Sequence, residues 1–450
     1  MEPDGAANRG FGTIPVTMVR CRSLVLCTLA LLLLAACSPG ASLLDPAAAR
    51  SGKPAASPTP FQPGTDPGSS ARLAAPQGLA TFTPYPTALP RSDPFEAPQV
   101  ATPPGEPAFP TSNTDPLTGL APADPTRLER RPLAIKISNY PRAIRPQYGL
   151  SAADVVFEYY IEWLNTRFIG IFYGNDARQI GPVRSGRYFD EHITRMYHAY
   201  YVFNYADPRE FNYFLGGDLQ QFVVVPGYGE CPPFFQHRVA PEIKDVRHYE
   251  TYFDSTRFDG CLARKDGDNR RPDLHGSFFS AGAPAGGVAV SRIFTHYSKC
   301  DYNYWEYDPQ GGRYRRYQET SPIQTPAHLE DCSDTPETYA PLTDALTGEQ
   351  VGADNVVELF VSHTFASQNE QEDEIYHINL VDSGTAFVFR DGLAYPARWM
   401  RTDIEQPLLL TTPGGAPMYL KPGTTFYEVI GETSGDWSDG ADWHFEFRTP

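Results

Sequence analysis

Apolar and polar residues alternate with period two at Leu133, Ile135 and Ile137 against Ala134, Lys136 and Ser138, and the alternation stops at Asn139-Tyr140-Pro141. This is the pattern of a half-buried strand ended by a turn. A second strand is predicted from Val155 to Trp163. Val155, Phe157, Tyr159, Ile161 and Trp163 take one face, and Val156, Glu158, Tyr160 and Glu162 the other, so its two carboxylates share a face. With Asn165-Thr166 as a two-residue turn, a third strand from Arg167 to Tyr173 pairs back and brings Arg167 to the Glu162 side. After the polar turn Gly174 to Gln179 comes Gly181-Pro182-Val183-Arg184-Ser185-Gly186-Arg187. A helix follows whose apolar face is Phe189, Ile193, Met196, Tyr197 and Tyr200. A strand from Tyr200 to Phe203 and a short helix near Phe211 to Leu215 complete an α/β domain with a mixed sheet, placed at 113–285.

From about Ser291 short strands dominate: Ile293 to Tyr297, Val356 to Ser362, Ile375 to Leu380, Thr385 to Phe389, Tyr395 to Met400 and Thr425 to Val429. Asp382-Ser383-Gly384 and Asp391-Gly392 stand where hairpin turns belong. The expected element is a mainly antiparallel β domain at 286–450, which makes the chain α+β. Tyr302, Tyr304, Trp305, Tyr307, Tyr314 and Tyr317 gather near its start. Such rings suit sugars, and with period two they equally suit strand packing.

Composition adds compartment. Arg20 and Arg22 precede an apolar run from Leu24 to Ala36, too short to be a comfortable membrane span, that ends at Cys37. Residues 1–36 read as an export signal, and Leu34-Ala35-Ala36-Cys37 resembles a bacterial lipobox, which makes Cys37 the lipidation site. One acyl chain anchors only marginally, so two or three are expected on that cysteine. Residues 38–112 hold seventeen of the forty-four prolines and no Ile or Trp. Such a stretch cannot bury enough apolar surface to offset its ordering entropy, so 37–112 is expected to be a disordered tether. The formal charge of −17 argues against nucleic acid as a partner. The expected location is the extracytoplasmic face of the cell membrane, with membrane lipid as one partner through Cys37.

Removing the signal and Cys37 leaves Cys231, Cys261, Cys300 and Cys332, an even number that suggests two disulfides in an oxidising compartment. Pairing Cys231 with Cys261 and Cys300 with Cys332 closes the shorter loops. A zinc site is the competing reading, but the spacings contain no C-x-x-C.

The succession Asp115-Pro116-Leu117-Thr118-Gly119-Leu120, Arg131-Pro132-Leu133-Ala134-Ile135, Arg145-Pro146-Gln147-Tyr148-Gly149-Leu150, Ala153-Asp154-Val155-Val156-Phe157-Glu158, Thr166-Arg167-Phe168 and Ile180-Gly181-Pro182-Val183-Arg184-Ser185-Gly186-Arg187 resembles the YerB-like family of bacterial lipoproteins. The resemblance is dense from about 115 to 210 and returns at Leu346-Thr347-Gly348-Glu349-Gln350 and Asn355-Val356-Val357. It implies a lipoprotein with two domains of unknown function and carries over no reaction. Where many members have a His-Gly-Gly-like segment, this chain has Asn204-Tyr205-Ala206.

Candidate chemistry gathers around the arginine turn. Arg184 and Arg187, with backbone N–H groups at a helix start, suit a phosphate or carboxylate. Ser185 reads as a helix cap. The ligand-binding candidates are Arg184, Ser185, Arg187, Arg167, Glu158 and Glu162. Glu158 and Glu162 lie about 13 Å apart along a strand, too far for a glycosidase pair by themselves. No nucleophile elbow, zinc-protease, Walker or dinucleotide motif is present, so no catalytic residue is assigned and no cofactor or metal is expected. The leading expectation is a non-catalytic envelope protein that binds an anionic cell-wall component, such as a wall glycan, or a partner protein. The alternative is a wall glycan or peptide hydrolase using Glu158 with the neighbouring arginines.

Overall fold

Strands β1 (Leu133–Ser138), β2 (Val155–Glu162) and β3 (Asn165–Phe172) form where the alternating pattern places them, and β3 lies between the other two, antiparallel to both. The computed structural model describes residues 113–227, 233–237, 249–265, 267–320, 337–369 and 373–450. The chain divides into two units, 1–89 and 90–450, and every described residue belongs to the second. Cys37, the tether, Cys231 and Cys332 fall outside the described residues, whereas Cys261 and Cys300 are buried.

β4 (Tyr200–Val202) runs parallel to β1, and β5 (Val223–Val224) parallel to β4. The later chain supplies β6 (Arg292–Ser298), β7 (Asp301–Asp308), β8 (Arg313–Glu319), β9 (Asn355–Asn369), β10 (Asp373–Asn379), β11 (Asp382–Arg390), β12 (Leu393–Arg401), β13 (Leu409–Thr411), β14 (Thr425–Gly431), β15 (Gly435–Asp439) and β16 (Asp442–Glu446). The larger sheet has twelve strands in the order β13-β12-β11-β9-β14-β2-β3-β1-β4-β5. β10 and the two-residue strand Val288–Ala289 pair off that path. The seam is β14, which runs parallel to β2 on one side and to β9 on the other, so strands from both halves of the chain share one mixed sheet. The second sheet, of seven strands, is built on the run β8-β7-β6-β16-β15. This is an α+β fold with antiparallel hairpins concentrated in its later part.

Three expectations change. β1 is buried on both faces, Lys136 and Ser138 included, because the sheet to which it belongs is covered on both sides. Helix α1 (Phe189–Met196) covers one side, with the Phe189 ring 4.7 Å from that of Tyr159. The second sheet covers the other. The β2–β3 turn is Trp163-Leu164, not Asn165-Thr166: both residues have positive φ, 51° and 64°, as a type I′ hairpin requires. Asp382-Ser383-Gly384 lies inside β11, whereas Asp391-Gly392 is the two-residue turn expected.

Two short sequences occur twice and build the same structure each time. In Asp115-Pro116-Leu117-Thr118-Gly119 and Asp344-Ala345-Leu346-Thr347-Gly348 the Asp carboxylate accepts from the Leu N–H at 2.8 Å. In both, the Gly N–H closes back on the Asp carbonyl, with Gly φ of 68° and 74°. Asp154-Val155-Val156-Phe157-Glu158 and Asp354-Asn355-Val356-Val357-Glu358 then open β2 and β9, the two neighbours of β14.

Candidate functional site

Strand β2 carries a bulge between Tyr160 and Glu162. An extra residue on one strand shifts the alternation by one, so Glu162 turns to the face of Tyr159 while Glu158 stays on the opposite face. The expected shared face of the two glutamates is therefore absent, and two separate charge clusters result, one on each side of the sheet.

On the side of α1, Arg167, Arg184, Ser185, Arg187 and Glu162 come together. The segment Gly181 to Gly186 is held as a backbone rail: Ser138 N–H donates to Pro182 O at 2.9 Å, Arg184 N–H to Lys136 O at 3.0 Å, and Gly186 N–H to Tyr205 O at 3.0 Å. Position 186 has to be glycine, since a Cβ there would lie 2.5 Å from the Tyr201 hydroxyl. Arg187 grips Glu162 through two hydrogen bonds, Nε to Oε2 at 2.6 Å and Nη2 to Oε1, and stands 3.7 Å from Glu210. The Arg184 guanidinium lies over the Tyr249 ring at 4.2 Å. Arg167, only 8 % exposed, donates from Nη1 to the Ser185 carbonyl at 3.0 Å, and no carboxylate among the described residues lies within ion-pair distance of it.

Beneath this group a sealed cluster supports it. Lys136 Nζ donates to Tyr159 OH and, at 2.9 Å, to Asp190 Oδ1. Asp190 also accepts from Tyr159 OH, Tyr201 OH and the Arg187 N–H. The N-cap position of α1 is Tyr188, whose N–H donates to Glu210. Asp190 and Glu210 thus occupy the amides expected to greet an anion, and Ser185 is not a cap because the helix starts four residues later. What the turn presents is guanidinium, not a helix end.

The titrations follow from burial and neighbours. Burial brings Lys136 down to about 7, against the pull of Asp190. Burial, then the positive charge of Arg187, lowers Arg167 to about 9. Desolvation acts on the part-buried Glu162 too, but Arg187 and then Arg167 outweigh it and hold Glu162 below its ordinary value. Glu210 is raised by burial to about 7, with Arg187 opposing.

On the other side, facing the second sheet, register places Glu158, Glu428 and Glu358 side by side on β2, β14 and β9. All three are fully buried, on adjacent strands about 4.8 Å apart. One guanidinium, Arg316 on β8, bonds to Glu158 and, at 2.6 Å, to Glu428. Trp305 Nε1–H and Tyr297 OH also donate to Glu428, at 2.8 and 3.0 Å, and Thr295 donates to Glu358 at 2.6 Å. Thr166 Oγ1–H and Asn139 Nδ2–H complete the Glu158 shell. Burial raises Glu158 to about 8, with Glu428 adding and Arg316 opposing, and burial followed by Glu428 raises Glu358 well above the carboxylate range. Glu158 therefore joins the two sheets and is sealed away from any ligand that reaches the arginines.

The sequence reading missed Lys136, Asp190 and Glu210, whose partners come from distant strands and helices. It also missed Glu358, Glu428 and Arg316. The recurring Asp-x-Val-x-Glu was a usable signal for Glu358, since it repeats the Glu158 environment. The aromatic row is packing: Trp437, His444, Phe294, Tyr304 and Tyr317 stack across strands with ring centroids 4.5–5.1 Å apart, which turns their faces on one another. Trp305 points inward and is fully buried.

Fold and site define a two-sheet α+β protein with a sealed glutamate row between the sheets and an arginine cluster on the helix-covered face. Residues 117–242 match the N-terminal domain, and residues 293–427 the C-terminal domain, of the family described as "Protein of unknown function (DUF3048)". The two matches together span more than half of the chain, and the chain belongs to this YerB-like family. The chain is 41% identical over 87 residues to the Bacillus subtilis (strain 168) protein named "Putative lipoprotein YerB". That match spans 19% of this chain and 26% of the relative's length. The crystal structure of YerB from Bacillus subtilis has the same fold, with a TM-score of 0.56 at 22% identity over 70% of this chain and 96% of that one.

Proposed function

We propose that this protein is a non-catalytic, lipid-anchored envelope protein on the extracytoplasmic face of the membrane, and that its arginine cluster binds an anionic wall component. The lipobox at Cys37 and a relative named as a lipoprotein support the anchor. The buried positions of Cys261 and Cys300 suit the two disulfides expected with Cys231 and Cys332. The observation that carries the binding reading is Arg167: a guanidinium removed from most water, held by a carbonyl, beside two further arginines on a chain of net charge −17. A desolvated charge held this way is costly unless an anion completes it. The test is retention of the full chain, in detergent, on insoluble wall material. Arg167→Gln, with an unchanged melting temperature, is expected to cut retention about tenfold, the worth of one charge-assisted hydrogen bond. Equal retention of both forms sinks the reading.

A hydrolase is the second reading, and its residues move. Glu158 is sealed behind Arg316, whereas Glu162 and Glu210 flank Arg187 with opposite shifts, Glu162 held ionised and Glu210 raised to about 7. Environments that separate two carboxylates in this way suit an acid and its partner. Turnover of wall fragments that Glu210→Gln abolishes is the outcome that favours it.

A further inference from the structure

Four aromatic side chains stand well exposed among the described residues: Trp163, Tyr205, Tyr213 and Trp437. Trp437 stacks on His444, and Tyr213 meets Tyr188 edge-on while its hydroxyl donates to Glu191. Trp163 and Tyr205 have no ring neighbour among the described residues, and the chain joins both to Arg187. Trp163 follows Glu162, the carboxylate that Arg187 grips, and the Tyr205 carbonyl accepts the N–H of Gly186, the residue before Arg187. Both also hold left-handed backbone, with φ of 51° and 69°. That conformation is unfavourable for a large side chain, so the surrounding bonds must impose it. At the Trp163 turn they do: Trp163 N–H donates to Glu374 Oε2 at 2.8 Å, Leu164 N–H to Tyr160 OH at 3.0 Å, and Ser298 Oγ–H to Leu164 O at 2.7 Å.

We infer that the ligand of the arginine cluster is an acidic glycan chain, whose anionic group meets Arg167 while Trp163 and Tyr205 stack against its sugar rings. This rests on the anion-binding reading above and names the class of ligand. Charge complementarity selects the anionic group, because three arginines converge on a chain that is otherwise strongly acidic. Flat, exposed, unstacked rings on the residues next to Glu162 and bonded to Gly186 select a polymer with apolar ring faces over a bare phosphate. The outward aromatic row of the second sheet lacks this property, since its faces are already in use.

The experiment is a titration of the full chain in detergent with three probes: an oligogalacturonate, inorganic tripolyphosphate and a neutral cello-oligosaccharide. The acidic sugar is expected to bind, and Arg167→Gln to weaken it about tenfold. Trp163→Asn and Tyr205→Asn, residues that tolerate left-handed backbone, are each expected to weaken the acidic sugar about three- to tenfold while leaving tripolyphosphate unchanged. If tripolyphosphate binds as tightly as the acidic sugar and neither aromatic variant alters either, the glycan inference is overturned and the anion reading survives. If neither anionic probe binds, or Arg167→Gln changes nothing, the anion reading fails and the glycan inference goes with it. Tight binding of the neutral sugar also overturns the inference.

Discussion

The two faces of β2 present opposite surpluses of charge, and they resolve them differently. Toward the second sheet, three buried carboxylates share one guanidinium. Toward α1, among the described residues, Arg187 bonds Glu162 and stands 3.7 Å from Glu210, while Arg167 has no carboxylate within ion-pair distance. The glutamate row is sealed, so only protons can balance it, and the raised affinities of Glu158 and Glu358 for a proton are the consequence. A guanidinium cannot shed its proton near neutrality even when burial lowers it to about 9, as at Arg167, so its charge stays. On the proposed reading, the sealed surplus serves stability and the arginine side serves binding.

Breaking the sealed side should have the largest effect. Arg316→Met leaves Glu158 and Glu428 without their counter-charge, and urea unfolding is expected to show a loss of about 3–5 kcal/mol. A loss below about 1 kcal/mol would mean that protons alone balance the row. On the open side, Arg187→Met strips Glu162 of its two hydrogen bonds, and a loss of about 1–3 kcal/mol in the same assay is expected, smaller because Glu162 is part-exposed.

The pH dependence sharpens the comparison further. The folded protein keeps protons on Glu158 up to about pH 8, whereas the unfolded chain releases them near 4.5. Above pH 4.5 the folded state therefore binds more protons, and stability from this row falls as pH rises through about 8. Burial also raises Asp301 to about 8, with Glu319 and Glu158 adding, so it acts in the same direction. Glu358→Gln copies the protonated form. It is expected to leave the melting temperature at pH 4 nearly unchanged and to raise it by several degrees at pH 9, because the parent must take up a proton on folding there. A variant that melts like the parent at both pH values would place the shared proton elsewhere. Smallest of all, Trp163→Asn relieves left-handed strain and is expected to raise stability by up to about 1 kcal/mol while it weakens ligand binding. A fall in both would assign Trp163 to packing.

Much of the fold was legible because it rests on local period: β1 to β3, α1 and the later strands all stand near their predicted places. The hairpin turn was misplaced because Trp163 and Leu164 do not carry the residue signature of φ > 0, and the conformation is imposed by Tyr160 of β2 itself and by Glu374 and Ser298 from β10 and β6. The candidate arginines were found together since they lie on one short turn and the strand beside it. Glu158 was grouped with them wrongly, because a bulge is invisible to strict alternation.

By itself the sequence determined what depends on neighbours along the chain: the lipobox, the Pro-rich stretch, the strand periods, the repeated Asp-x-Leu-Thr-Gly turns and the convergence of Arg184 and Arg187. Tertiary structure alone decided which carboxylates are neutralised by which arginines. Glu158, Glu428 and Glu358 become neighbours only when β14 inserts between β2 and β9, and Arg316 meets them only when the second sheet closes over the first. Charge pairing depends on distance in space and on exclusion of water, and neither is written in the spacing of residues along the chain.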